Sequence, residues 1–390
     1  MKRKKQQKIA LVLSGGGFNC AFQLGALNYI NRNWKKITGL SSPMKFDVVA
    51  GVSGGALNGA LLAMNDLPLL NHLWVDLIGK KGASEIYTSD IIDATHKGDS
   101  MKLKIDLKGI AKQFMPDIES QLSFFNKLGL IFSKRKRRVI FETVLKQLTK
   151  IIKLNLSNFK SIADNTPLKR KLELYLDRNK IKGSTFISGF VSLDSGLYHH
   201  VLHHEYLSNQ DFINGVLASM AMPFVWSPVD LVHFKTKQGL VTSQNNVDGG
   251  VRNVSPLGDV IKLINHDVES DYKVIVINTN SGVPKAKDFS NKSVIDIIAR
   301  ALYEITLTEV FDNDIKHFTK INSIIKQAEA WDNEITLFNG SNQQMKSFES
   351  VIINPDSSFD LGNALVANEQ LIKARMDHGE IMAKRAFKHE

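Results

Sequence analysis

Residues 46–64 read Phe-Asp-Val-Val-Ala-Gly-Val-Ser-Gly-Gly-Ala-Leu-Asn-Gly-Ala-Leu-Leu-Ala-Met. The mostly apolar Phe46–Ala50 favours a short strand, the glycines of 51–55 a tight turn, and Leu57, Leu61 and Met64 recur at the spacing of one helical face. The stretch is therefore a strand, a turn around Ser53 and a helix. Gly51-Val52-Ser53-Gly54-Gly55 at such a junction has the form of a nucleophile elbow: small neighbours let the chain turn sharply enough to expose the hydroxyl at the strand's carboxyl end, above the helix's amino terminus. The same residues also fit a plain strand-to-helix turn with Ser53 as its N-cap. Residues 48–65 carry no charge, but four glycines, two asparagines and a serine make them a buried segment rather than a membrane span.

The region upstream has the same form. Lys8–Leu13 reads as a strand, Gly15-Gly16-Gly17 as a turn, and Cys20, Leu24, Leu27, Ile30 and Trp34 as one face of a helix. Two consecutive βα units predict a parallel sheet covered by helices. Consecutive glycines let successive backbone N–H groups converge on one point, which suits an oxyanion or a phosphate. A dinucleotide fingerprint fails here, because Cys20 occupies the third glycine position and the nearby acid, Asp47, stands at the start of the second strand. A glycine turn after strand one and a serine turn after strand two would lie on adjacent loops of one sheet edge.

Further strands are predicted at Thr185–Val191, Leu197–Leu202, Leu240–Val247 and Lys273–Thr279, the last a continuous apolar run typical of a central parallel strand. A helix with Val294, Ile297, Ile298, Ala301 and Ile305 on one stripe follows, and 365–387 is again helical. The chain thus reads as one α/β domain over 1–390, with a catalytic core in 8–79 and 183–280, a Lys-rich helical insertion at 80–182 and a helical C-terminal part at 285–390. Asp248-Gly249-Gly250 closes a predicted strand and offers Ser53 an acid at another strand end; a glycine turn of no chemical role is the alternative. His199, His200, His203 and His204 form i,i+4 pairs, but with no cysteine beside them and no HExxH they read as a strand pair or surface cluster, and no metal or other cofactor is expected. In a Ser-Asp-His triad, His266, His317 or His378 would follow Asp248 in suitable order.

At 390 residues, 43% hydrophobic and 23% charged, the composition is that of a globular protein and excludes a disordered or coiled-coil chain. The net charge of +11 favours an anionic partner. Nucleic acid is disfavoured, since no aromatic-interleaved RNA motif or helix-turn-helix signature appears. The run Lys134-Arg135-Lys136-Arg137-Arg138 is either a solvated face or a peripheral docking patch for anionic membrane. Cys20, the single cysteine, excludes an intramolecular disulfide and suits a reducing, cytoplasmic compartment. The apolar run Ile9–Leu13 is too short for a signal peptide, and no transmembrane helix is expected.

In order along the chain, Gly15-Gly16-Gly17, Gly51-Val52-Ser53-Gly54-Gly55, Ala218-Ser219-Met220-Ala221-Met222-Pro223 and Asp248-Gly249-Gly250 resemble the hallmark blocks of the patatin-like phospholipase family. The resemblance implies a three-layer α/β/α sandwich with a mostly parallel central sheet. It also implies a lipid acyl hydrolase with Ser53 and Asp248 as a catalytic dyad, an oxyanion hole from Gly15, Gly16, Gly17 and Gly54, and a lipid or fatty-acyl ester as substrate. Gly51, Gly55, Gly249 and Gly250 support the motifs. Asn19 and Cys20 stand where the family usually has Arg or Lys and then Gly, which removes a charge beside the oxyanion loop. A triad esterase and a non-catalytic lipid-binding protein are the alternatives.

Overall fold

The computed structural model describes residues 5–89, 161–282, 307–337 and 343–388, with isolated positions between them, so Lys134 to Arg138 lie outside the described residues. An eight-stranded sheet forms the middle layer. Its strands are β1 (Gln6–Leu13), β2 (Val48–Val52), β5 (Thr185–Ser192), β6 (Tyr198–Leu202), β7 (Val229–Thr236), β8 (Gly239–Asp248), β9 (Ser270–Ile277) and β12 (Glu349–Ile353). The pairs β3/β4 (Ile92–Asp93 with Lys102–Leu103) and β10/β11 (Ile335–Leu337 with Gln343–Met345) stand apart from it.

The sheet order is β12-β9-β1-β2-β5-β8-β7, with β6 on β5. Five of these strands, from β12 to β5, run parallel, and β6, β7 and β8 are antiparallel additions. β1 buries both faces. Ile9, Leu11 and Leu13 join a core with α1 (Ala21–Arg32), α3 (Gly54–Ala63) and α6 (Asn209–Met220). Ala10 and Val12 join a second core with α7 (Leu257–Asn265), over which Ile315 and Phe318 of α8 (Leu307–Ala330) pack. Two cores on opposite faces of one sheet make the α/β/α sandwich. The smaller helices α2 (Trp34–Thr38), α4 (Leu67–Asn71) and α5 (Thr166–Tyr175) flank the layers, a π-helix runs over His72–Gly79, and α9 (Glu369–Ala386) closes the chain against α1.

Register explains how two distant motifs meet. β6 pairs with residues 187–191 of β5 and therefore occupies one edge of that strand along its length. β2 and β8 must share the other edge: Val52 of β2 pairs with Gly189, and Asp248 of β8 pairs with the next residue, Phe190. The end of β8 thus abuts the end of β2, which sets Asp248 beside Ser53.

The predicted strands at 185–191, 197–202, 240–247 and 273–279 are present within a few residues of their expected ends. The C-terminal part departs from the helical expectation, since β12 adds the parallel edge strand beside β9 and β10/β11 form a hairpin. The run Ser350-Val-Ile-Ile353 is only a few residues long, and strands that short leave little periodicity to read. Ile297 and Ile305 of the predicted apolar stripe are about half exposed, while Val294 and Ile298 lie outside the described residues.

Candidate active site

Ser53 leaves β2 with φ 55° and ψ −132°, a conformation that costs an L-residue free energy and persists only where its surroundings impose it. The imposing contacts are backbone ones. A Cβ on Gly51 would lie 2.1 Å from the Gly55 carbonyl oxygen, and one on Gly55 would lie 2.5 Å from the carbonyls of Leu13 and Ser14. The elbow therefore closes only with glycine at both positions, and it packs directly on the end of β1.

Ser53 occupies the N-cap position of α3, yet its hydroxyl makes no cap hydrogen bond. It faces the carboxylate of Asp248, whose Oδ1 accepts the Gly250 N–H at 2.7 Å. Both side chains are buried. Burial pushes the Asp248 carboxyl up from 3.8 to about 7, against the opposing pull of the nearby Ser53 hydroxyl and the Gly250 N–H.

One segment holds the two residues from behind. Ser219, in the last turn of α6, accepts the Ser53 N–H on its hydroxyl at 3.0 Å, and the Ala221 carbonyl accepts the Asp248 N–H at 2.9 Å. The sequence marked this segment only as a motif; the signal for Ser219 is a small hydroxyl residue at a helix end in an otherwise apolar stretch.

The glycine loop lies against the same serine, since a Cβ on Gly15 would come within 3.1 Å of the Ser53 Cβ. Its donors divide in a way the sequence did not show. The Gly15 N–H donates to the Val254 carbonyl at 2.9 Å and is already engaged, so Gly15 drops out of the expected set of oxyanion donors. Phe18 donates to Ala364 at 2.8 Å and Asn19 to Gly16 at 3.0 Å, whereas the amides of Gly16, Gly17 and Gly54 have no acceptor among the described residues. Asn19 turns away from the serine: its Nδ2 reaches the Gly362 carbonyl at 3.5 Å, and its Oδ1 is buried without a partner. Cys20 is wholly buried, and burial, with the nearby Asp248 charge, pushes its thiol well above the ordinary range, so it is no nucleophile.

A buried polar chain supports the loop from below. Gln23 Nε2 donates to the carbonyls of Ser14 (2.8 Å) and Ile277 (3.3 Å); Asn58 Nδ2 donates to Gln23 Oε1 (2.9 Å) and Cys20 O (3.1 Å); Trp74 Nε1 donates to Asn58 Oδ1 (2.8 Å). In front of Ser53 lies an apolar slot of about 20 Å³, walled by Leu57, Ile78, Ile86, Met220, Trp226 and Ala364. That is room for about one water, for which ~10–15 Å³ suffices, so an acyl chain enters only as the walls part.

The histidines lie elsewhere. His266 ends α7 ahead of β9, at the opposite end of the sheet from Ser53, and His317 lies on α8. His378 stacks on Phe359 with its Nε2 accepting the Asp356 N–H at 3.0 Å. His200 lies 3.4 Å from Asp259, and among the described residues no group of His, Cys, Asp or Glu has the arrangement of a metal site.

The profile of the patatin-like phospholipases matches residues 11–261, close to two thirds of the chain. The chain belongs to the patatin-like phospholipase family. Membership indicates a lipid acyl hydrolase. Among solved structures, VipD from Legionella pneumophila is similar at 13% identity with a TM-score of 0.31, over 98% of this chain and 67% of that one. No curated protein sequence matches it. Among the described residues, no helix of this patatin-like chain is long and apolar enough to cross a membrane.

Proposed function

We propose that the chain hydrolyses lipid acyl esters with Ser53 as nucleophile and Asp248 as base. The observation that carries this reading is the hydroxyl of Ser53: at a helix N-cap it forgoes the cap and faces a buried carboxylate. A carboxylate at its ordinary value is a weak base at neutral pH, whereas one raised to about 7 is matched to the task. Asp248 accepts the Ser53 proton as Oγ attacks the ester carbonyl, and the open amides of Gly16, Gly17 and Gly54 receive the oxyanion. The alkoxide leaves with the proton from Asp248, giving an acyl-enzyme. Asp248 then deprotonates a water that attacks the acyl carbonyl, and Ser53 recovers its proton as the fatty acid departs. Each oxyanion donor is typically worth about 100- to 1,000-fold in rate. The apolar slot favours an acyl chain over a polar acyl group.

Ser53→Ala and Asp248→Asn should each abolish hydrolysis of a p-nitrophenyl ester in folded protein, while His266→Ala, His317→Ala and His378→Ala retain it. Loss on a histidine change, with Asp248→Asn active, would establish the triad instead. The basic run Lys134–Arg138 is assigned to peripheral contact with anionic membrane. Its neutralisation should lower binding to phosphatidylglycerol vesicles and spare turnover of the soluble ester; equal loss on both would remove that assignment.

A further inference from the structure

The oxyanion loop is completed by a part of the chain beyond the family's matched residues. Residues 361–366, Leu-Gly-Asn-Ala-Leu-Val, form an irregular strap whose Ala364 is a wall of the slot at Ser53. Its carbonyl accepts the Phe18 N–H at 2.8 Å. The approach is close enough that a Cβ on Gly17, which has φ 54°, would lie 2.5 Å from that oxygen. The position of the strap therefore sets the conformation of Gly17, one of the two open amides of the loop.

The strap is itself held chiefly by one side chain. Arg375 of α9 is 1% exposed and donates from Nε to Leu361 O (2.7 Å), from Nη2 to Asn363 O (3.0 Å) and from Nη1 to Val366 O (2.9 Å). Tyr87 Oη donates to Leu365 O at 2.7 Å, and Asn19 Nδ2 reaches Gly362 O. With Phe18 on Ala364, all six strap carbonyls have donors, and Arg375 supplies three of them. A planar guanidinium makes this fork; an ammonium is a single point and cannot span it.

The platform under Arg375 is rigid. A Cβ on Gly25 of α1 would lie 1.9 Å from Met376 O, and one on Gly379 of α9 would lie 1.9 Å from Phe22 O, so the two helices touch backbone to backbone on either side of their crossing. α1 continues directly from the glycine loop, so one helix pair fixes both the loop and the arginine that steadies the strap against it.

We propose that Arg375 is a positioning residue for catalysis: through the carbonyls of 361–366 it fixes Ala364 against Phe18, and so keeps the Gly16 and Gly17 amides aimed at the oxyanion. This rests on the hydrolase reading above. It differs from a general stabilising role because it acts on the transition state and not on substrate binding.

The test uses the full chain with Arg375→Met and Arg375→Lys, and with Arg385→Ala, an exposed partner of Asp356 on the same helix, as control. Hydrogen exchange at Phe18 and steady-state hydrolysis of a short p-nitrophenyl ester are read together. Arg375→Met should accelerate Phe18 exchange at least about tenfold relative to β1 amides, and lower kcat about 10- to 100-fold with KM within about twofold. Arg375→Lys, which keeps the buried charge and the fold, should fall between Met and wild type; Arg385→Ala should match wild type. Unchanged Phe18 exchange in both variants overturns the coupling. Faster exchange with unchanged kcat, or a loss carried by KM, overturns the catalytic role. Exchange needs no turnover, so it decides the coupling even if the wild type hydrolyses no ester, a result that would overturn the proposed function instead.

Discussion

Replacing Asp248 by asparagine is expected to stabilise the protein at alkaline pH while destroying its activity. The carboxyl is fully buried and raised from 3.8 to about 7, chiefly by desolvation of its charged form. Below about pH 4 it is protonated in folded and unfolded chains alike and adds nothing to the pH dependence. Between about pH 4 and 7 the unfolded chain ionises first and binds fewer protons than the folded one, so stability falls as pH rises. Above 7 both states are ionised and the whole cost is present. At about 1.4 kcal/mol per pH unit, it amounts to about 4 kcal/mol. Asparagine carries no charge to desolvate; its Oδ1 can keep the Gly250 N–H, and its amide can face the Ser53 hydroxyl. Urea unfolding at intervals from pH 4.5 to 8.5 should therefore find the variant within about 1 kcal/mol of wild type at the acid end. It should be about 2–4 kcal/mol more stable at the alkaline end. A variant less stable than wild type at pH 8.5, or a difference that does not change with pH, would refute the reasoning.

On a neutral soluble ester, log kcat/KM should rise with unit slope as Asp248 ionises and level off near pH 7; a flat profile between pH 5 and 7 counts against Asp248 as base. Ser219→Ala removes the acceptor for the Ser53 N–H, and should cost about 1–2 kcal/mol in urea unfolding and about tenfold in kcat; unchanged kcat would show that the elbow holds its shape without Ser219. Asn58→Leu strands the Trp74 indole N–H, the Gln23 Oε1 and the Cys20 carbonyl in the core, and should cost about 3 kcal/mol or more by the same measurement.

The beginning of the fold was legible because its constraints fall on residue type. Gly51 and Gly55 are each forced by a backbone oxygen a few ångströms away, and such positions leave glycine-rich signatures that spacing can read. The turn at Asp248 was legible in the same way, since a Cβ on Gly249 would lie 2.3 Å from the Gly189 carbonyl and only glycine fits. What escaped depends on partners that residue type does not reveal. The loss of Gly15 as a donor follows from Val254, and the strap's place follows from the Phe18–Ala364 contact, made across more than three hundred residues; Arg375 meets the strap only through carbonyls of an irregular segment, to which residue types give no clue. β7, Val229–Thr236, has Val232 and Phe234 buried among exposed neighbours, but Pro228 and the polar residues around it masked that alternation. β12 escaped because a short apolar run fits an edge strand or a helix turn equally well.

The claim that Ser53 is an activated nucleophile is tested most directly by treating the full chain with a lipid-like fluorophosphonate and mapping the adduct by peptide mass. The account predicts a single adduct on Ser53, absent in Ser53→Ala and strongly slowed in Asp248→Asn. An adduct on another residue, or labelling of Ser53 at an undiminished rate in Asp248→Asn, would contradict it.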